Sequence, residues 1–457
     1  MQRKIYSRMK AWKESEERKP LMIMGPRQVG KTYSATRFAK ENYDNYVLFN
    51  FQESPGLYRI FEGDLDPHRL VKELSAYSQE SINEDTLMIF DEIQECSRAV
   101  TSLKYFREQM PEQPLITTGS LLGLITGDPK DKEEGFKRSF PVGKVDQIQM
   151  HPMDLEEYAW ATGRKGLSDS IRDHFNDMAE MPLHDRALEM YREYLAVGGM
   201  PEAVDAYVRT GDPGMVMSAQ KGLNDSMIGD ISKHAGNPDT VVRTLRTWNS
   251  MVSQLMKDNL KFQYSKIVKG GRSSQYSISV DWLIAARMVN RVDMVTEPTS
   301  PLSGFVDNSS FRLFMADTGM LCSKAEVPFK TVVSGRAGDR FRGVMAENYV
   351  AQSLKANDLN AFYWNPDQYT EVDFIIQDSE GEVMPIEVKS GDRTDSKSLS
   401  KLRKKYSPRS SIRISSKNFG CEDGLYSIPL YAAFCIDDGW AQKVSGMRFR
   451  PMSPSLH

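Results

Sequence analysis

The chain has 457 residues, a formal net charge of −3, 40% hydrophobic residues and 26% charged residues. That length exceeds one ordinary core and predicts two to four domains. The composition excludes a disordered chain, and the charge excludes a uniformly basic nucleic-acid coat while leaving local patches open. Four cysteines, Cys96, Cys322, Cys421 and Cys435, are far apart without C-x-x-C spacing, which favours incidental thiols in a reducing compartment. No segment approaches 18 apolar residues and the first residues are charged, so a cytoplasmic protein with no membrane partner is expected.

Ile5, Met9 and Trp12 recur at helical spacing and predict an amphipathic helix ahead of a first strand, Leu21–Met24. Gly25-Pro26-Arg27-Gln28-Val29-Gly30-Lys31-Thr32 follows, and a helix-compatible stretch begins at Lys31. Strand, G-x-x-x-x-G-K-[ST] and helix together form a phosphate-binding loop. Its glycines let backbone N–H groups close on phosphate oxygens, and the helix N-terminus adds partial positive charge. Lys31 would reach the β- and γ-phosphates of ATP, and the Thr32 hydroxyl would hold Mg²⁺.

Three further apolar runs, Tyr46–Phe51, Thr86–Phe90 and Pro114–Thr118, alternate with helical stretches and predict a parallel sheet covered on both faces. The strand at Thr86 ends in Asp91-Glu92. Asp91 would hold Mg²⁺ beside the loop, and Glu92 would orient or deprotonate the attacking water. A kinase needs no such water-activating carboxylate, so hydrolysis is the expected chemistry. The next strand ends Thr117-Thr118-Gly119-Ser120, where Ser120 would sense the γ-phosphate or serve only as a turn residue.

The loop, Asp91–Gln94, Thr118–Ser120 and Tyr194–Ala203 occur in the order found in a large prokaryotic ATPase family that this chain resembles. That family joins an AAA-type domain (AAA+ or STAND-like) to a C-terminal domain of unknown function. Ala316–Met320 and Ala346–Val350 extend the resemblance across most of the chain. It implies ATP binding and hydrolysis and a homo-oligomer. The family tends to carry Gly-Arg near the end of the ATPase core, whereas this chain has Gly143-Lys144, and lysine lacks the planar fork of arginine. Arg138 is the nearby substitute.

Residues 1–155 are thus expected to be the ATPase core and 156–235 a helical lid. Residues 236–335 are expected to form a winged-helix-like module: helices near Val241–Leu255 and Tyr276–Met288, then strands near Val292–Val295 and Phe311–Met315. Lys266, Lys269 and Arg272 surround the intervening turn and would touch DNA phosphates, or simply form a solvated basic turn on a packing module.

In residues 336–457, Glu347 shares a helical face with Val350 and Leu354. Glu371–Ile376 and Val383–Lys389 read as a hairpin across the turn Asp378–Gly381, with Glu387 and Lys389 on one face about 7 Å apart. The ordered set Glu347, Asp373, Glu387 and Lys389 resembles the PD-(D/E)-x-K restriction-endonuclease-like superfamily. The resemblance implies that Asp373 and Glu387 bind Mg²⁺ with Glu347 supporting, while Lys389 activates water and stabilises the scissile phosphate. The alternative is an inactive nuclease scaffold that docks a partner under an ATP switch. Residues 389–413 carry nine Lys or Arg and two Asp, a DNA-phosphate patch in the first reading. Tyr363 and Trp364 would stack on a base or, more simply, fill the core. The expected fold is therefore α/β multidomain, with a P-loop NTPase parallel sheet, a helical and winged-helix-like middle, and a C-terminal restriction-endonuclease-like domain.

Overall fold

Alternation along one short strand organises the first half of the computed structural model, which describes residues 1–120, 141–235, 237–367, 369–391 and 397–446. In β1 (Leu21–Met24) all four side chains are buried. Leu21 and Ile23 enter a core with Ile5, Met9, Trp12 and Phe38. Met22 and Met24 enter a second core with Phe49, Phe51, Phe61 and Phe90. A strand with period two that is apolar at every position must be covered on both faces, and it is. Its neighbours are β2 (Asn45–Asn50), β3 (Thr86–Asp91), β4 (Leu115–Gly119) and β5 (Asp146–Gln149), in the order β2-β3-β4-β1-β5 with every pairing parallel. β5 was not expected. Its sequence, Asp-Gln-Ile-Gln, buries only Ile148, because an edge strand paired on one side needs no apolar run.

The chain divides into two compact units, Met1–His151 with Ala285–Arg287, and Pro152–Ile284 with Met288–His457. The expected lid segment falls in the second unit and is largely helical, from Leu155–Ala161 through Pro213–His234. Helices Pro238–Leu255 and Ser273–Ala285 follow, joined through a turn in which Lys266, Lys269 and Arg272 are exposed. No helix among the described residues is long and apolar enough to cross a membrane.

The strands expected to form the wing belong elsewhere. β6 (Val289–Val295) and β7 (Val306–Met315) pair antiparallel, and β6 is also parallel to β8 (Phe362–Asp367). Beyond β8 come β9 (Thr370–Gln377), β10 (Val383–Val388), β11 (Ser411–Ser415), β12 (Gly420–Glu422) and β13 (Leu425–Pro429). All lie in one eight-stranded sheet, ordered β12-β13-β11-β10-β9-β8-β6-β7. The expected boundary at residues 335 and 336 therefore does not separate two sheets. A wing hairpin would leave β6 with an open edge, whereas here Val289, Val292 and Val295 are buried and both edges of β6 are paired.

Two of the segments that carry the family resemblance meet in this unit. Asp317 caps helix Thr318–Lys324 by accepting from Met320 N (2.9 Å), and its other oxygen accepts from Gly199 N (2.6 Å). Burial pushes the Asp317 carboxyl up to about 6 despite these backbone donors. Gly198 has φ +78°, and a β-carbon there would overlap Asp317 Oδ1. A β-carbon on Gly199 would overlap the carbonyl oxygen of Met153, a backbone atom that cannot rotate away. Replacing Gly199 with alanine should therefore cost about 3 kcal/mol or more of stability, read as the shift in the urea midpoint of the full chain. A wild-type midpoint in that variant would refute the close approach.

Candidate functional site

The phosphate loop leaves β1 and enters helix Lys31–Asn42 through two left-handed residues, Gln28 at φ 60° and Gly30 at φ 92°. Gly25 is required for a separate reason: a β-carbon there would overlap the Met150 carbonyl oxygen just past β5. Arg3, near the start of the chain, supports the loop from behind, donating to Val29 O (2.9 Å) and His151 O (2.6 Å). Lys31 is buried, and its Nζ donates to Gly25 O (3.1 Å) and Pro26 O (2.9 Å), so the ammonium sits over the loop.

Thr32 and Asp91, 59 residues apart, come together as the sequence reading expects: Thr32 Oγ1 donates to Asp91 Oδ1 at 2.7 Å. Asp91 is also held by Thr118 Oγ1 and by Asn50 Nδ2 (3.2 Å). A hydroxyl and a carboxylate converging beside the loop are the oxygen donors that Mg²⁺ of a nucleotide takes, and they fit that ion. Glu92 adopts φ 50°, donates its N–H to Thr118 Oγ1 (3.3 Å), and accepts from Gln94 Nε2. Gln94 in turn accepts from Ser120 N at 3.2 Å. Thr118 is therefore the β4 residue whose side chain reaches Asp91, while Ser120 joins the network through its backbone. Asn50 gave no signal in the sequence, and Thr118 and Gln94, although within the segments quoted for the family resemblance, were not singled out as site residues. Lys144, at the place of the family's Gly-Arg, pairs with Glu108 at 2.9 Å. Arg138 lies outside the described residues.

The second constellation lies on the eight-stranded sheet. β9 and β10 form the expected antiparallel hairpin, with Phe374 opposite Ile386. Continuing that register by one residue sets Asp373 across from Glu387, on the same face of neighbouring strands. Asp373 Oδ2 accepts from Val388 N at 2.7 Å, and Lys389 Nζ pairs with Glu387 Oε1 at 2.6 Å. Glu347 stands on helix Asp339–Ala356 as expected.

At the centre is a residue that the sequence reading missed. Arg312 on β7 is fully buried, pairs with Glu371 Oε1, lies 3.7 Å from Glu347 Oε2, donates to Asp373 O at 3.4 Å and stacks over Tyr363 at 4.1 Å. One arginine in a strand 35 residues before Glu347 offers no motif to find. Tyr363 and Trp364 are buried, so they take the core role rather than an exposed stacking role.

Electrostatics make this cluster short of positive charge. Burial raises the Glu347 carboxyl to about 7 even though Arg312 opposes the shift. Burial, reinforced by Glu387 and Glu347, drives Asp373 well above the ordinary carboxylate range. Burial works against the Lys389 ammonium, but Glu387 and Asp373 outweigh it and hold its pKa above the usual value. Glu387 Oε2 and Glu347 Oε2 are buried without a hydrogen-bond donor among the described residues.

The expected three-carboxylate cation cage is nonetheless not formed. Among the described residues no group of three acidic, histidine or cysteine side chains is arranged to hold a metal ion. Each acid already has a protein partner: Arg312 takes Glu347 and Glu371, Val388 N takes Asp373, and Lys389 takes Glu387. The basic run forms helix Lys397–Tyr406, which buries Leu399 and Leu402 and anchors Lys401 on Thr370 Oγ1 at 2.9 Å.

Residues 17–159 match the family model described as an AAA domain. Residues 188–331 and 342–432 match two domains of unknown function, DUF8612 and DUF4143. No curated relative matches the chain. Among solved structures, a Walker-type ATPase from Pyrococcus abyssi is 16% identical, with 71% of this chain and 95% of that chain covered at TM-score 0.41. The Aeropyrum pernix Orc1 protein in complex with DNA is 12% identical, with 72% and 91% covered at TM-score 0.28. The RuvB Holliday junction branch migration motor of Thermotoga maritima is 15% identical, with 63% and 88% covered at TM-score 0.28. At these TM-scores the likenesses carry no argument about function. The matched AAA model, the parallel sheet and the loop geometry agree: the chain carries an AAA-type P-loop ATPase domain over residues 17–159.

Proposed function

We propose that the protein binds ATP·Mg²⁺ at Gly25–Thr32 and Asp91, hydrolyses it with Glu92 as the water-orienting base, and uses its nucleotide state to control DNA-directed chemistry in the second unit. The observation that carries the ATPase part is the Thr32–Asp91 hydrogen bond at 2.7 Å beneath a buried Lys31. Glu92 is turned out of the strand by its positive φ and steadied by Gln94, which suits a carboxylate that must face a water and not the sheet. Active sites of this kind between subunits would make the working form a homo-oligomer.

For the second unit the reading is metal-dependent phosphodiester cleavage on a restriction-endonuclease-like platform. The supporting observation is the hairpin register that sets Asp373 across from Glu387, with Lys389 two residues on. Asp373 and Glu387 would hold Mg²⁺, using the donorless Glu387 Oε2, and Lys389 would position water and neutralise the scissile phosphate. Glu347 acts here through Arg312 and not as a ligand. The cations Lys266, Lys269 and Arg272 and helix Lys397–Tyr406 would meet DNA phosphates. A second reading, an ATP switch with a non-cutting scaffold, is favoured by one observation, the fully buried Arg312 already pairing Glu347 and, outside the expected set, Glu371.

Lys31→Ala should lower ATP turnover on the order of 100-fold. Glu92→Gln should lower it by roughly the same factor while a fluorescent ATP analogue still binds. Turnover persisting in Lys31→Ala would remove the loop assignment. Supercoiled plasmid with Mg²⁺ or Mn²⁺ should be nicked by the wild type and left intact by Asp373→Ala, at a rate that differs between ATP and ADP. Absence of nicking under every nucleotide would leave the scaffold reading in its place.

A further inference from the structure

A cavity of about 450 Å³ in the second unit begins where the acidic cluster ends. Ser390 and Gly391, the two residues after Lys389, line one side, and Phe341, Arg342 and Met345, from the helix that carries Glu347, line another. The third side is helix His184–Val197, which contributes Leu188 and Arg192. None of these residues is needed for the chemistry assigned to Asp373, Glu387 and Lys389.

Two guanidinium groups flank the same turn. Gly335 sits at φ +68°, its β-carbon position is 3.7 Å from Arg192 Nε, and its carbonyl accepts from Arg342 Nη1 at 3.4 Å. Arg192 makes no hydrogen bond or ion pair among the described residues. Arg342 pairs with the exposed Asp339 through Nη2, and its buried Nε has no hydrogen-bond partner among the described residues. The opposing carboxylate in the lining is Asp185. The Nε2 of His184 lies 2.9 Å from the Ser416 carbonyl oxygen and so carries a proton, and its Nδ1 lies 2.9 Å from Tyr431 Oη. Within the lining two arginines face one carboxylate, while Asp339, the partner of Arg342, is exposed and outside it; planar guanidinium forks match phosphate oxygens. The apolar part of the lining, which includes Leu188, Phe341 and Met345, suits a nucleoside, and the volume lies within the usual range for a small-ligand site.

We propose that this cavity binds a nucleotide bearing a terminal phosphomonoester, with Arg192 and Arg342 on the phosphate, so that a strand end is seated next to Lys389. The proposal rests on the nuclease-like reading only for its purpose, and not for the binding itself. The same chemistry would come from a free mononucleotide, so the source has to be distinguished.

The experiment uses the full chain in EDTA and a 3′-fluorescein oligothymidylate with either a 5′-phosphate or a 5′-hydroxyl, read by anisotropy. The wild type should prefer the 5′-phosphate by about tenfold, Arg192→Ala should abolish that preference, and Arg192→Lys should restore part of it. Since Arg192 makes no hydrogen bond or ion pair among the described residues, an unchanged thermal midpoint should accompany the loss. Competition by dTMP at the concentration that saturates the phosphorylated end would assign the pocket to free mononucleotides; failure to compete would assign it to strand ends. If the wild type shows neither a 5′-phosphate preference nor dTMP binding, or if Arg192→Ala leaves both unchanged, the pocket is overturned. Plasmid nicking that needs Asp373, together with an indifferent Arg192→Ala, would remove the pocket alone. Arg192-dependent binding without any nicking would keep the pocket and remove the cutting.

Discussion

A carboxylate taken out of water must be met by a cation or by several donors, and that requirement shapes both units. In the first unit it is met around Asp91. Two hydroxyls and one amide converge on this carboxylate at the end of β3, and the three groups come from the phosphate loop, β2 and β4. The parallel sheet is what brings them there. Strands in register end at the same edge, so Asn50, Asp91 and Thr118 emerge side by side beneath Thr32. Their fit to Mg²⁺ follows from the topology as much as from any one residue.

In the second unit the same requirement has a divided solution. Arg312 is permanently charged and cannot lose its proton to make room for a metal. It therefore claims Glu347 and Glu371 outright, and a cation would have to lie on the other side, between Asp373 and Glu387. Truncating a buried arginine of this kind takes the paired cation from two carboxylates, and Glu371 would keep only its bond from Asn365 Nδ2, which is more costly than the pair itself is stabilising. Arg312 thus fixes where the remaining negative charge is concentrated, and Lys389 stands on that side.

The legible parts of the sequence were those in which chemistry and periodicity reinforce each other. Gly25–Thr32 announces itself because glycines, lysine and threonine must occupy fixed offsets, and β1 and the Thr86 strand because burial on both faces forces unbroken apolar runs. The hairpin of β9 and β10 was legible through its turn residues Asp378–Gly381. Three features were illegible for physical reasons. β5 is a polar edge strand, so its membership in the sheet is written in β1 and not in itself. β6 and β7 read as a wing because pairing partners more than 60 residues downstream leave no local trace. Arg312 and Thr118 act through distances in space that no spacing in sequence encodes.

Gly198, Gly199 and Asp317 extend that lesson to the segments that carried the family resemblance. Their residue types are dictated by contact with each other: Asp317 bonds Gly199, and side chains at Gly198 or Gly319 would collide with the opposing backbone or cap. A motif shared across a family can therefore mark a steric joint. The joint bears on the proposed pocket because helix His184–Val197, which ends at Gly198, is also the helix whose Arg192 lines that cavity. The placement of that guanidinium is thus set by backbone packing at the end of its own helix, one and a half turns away.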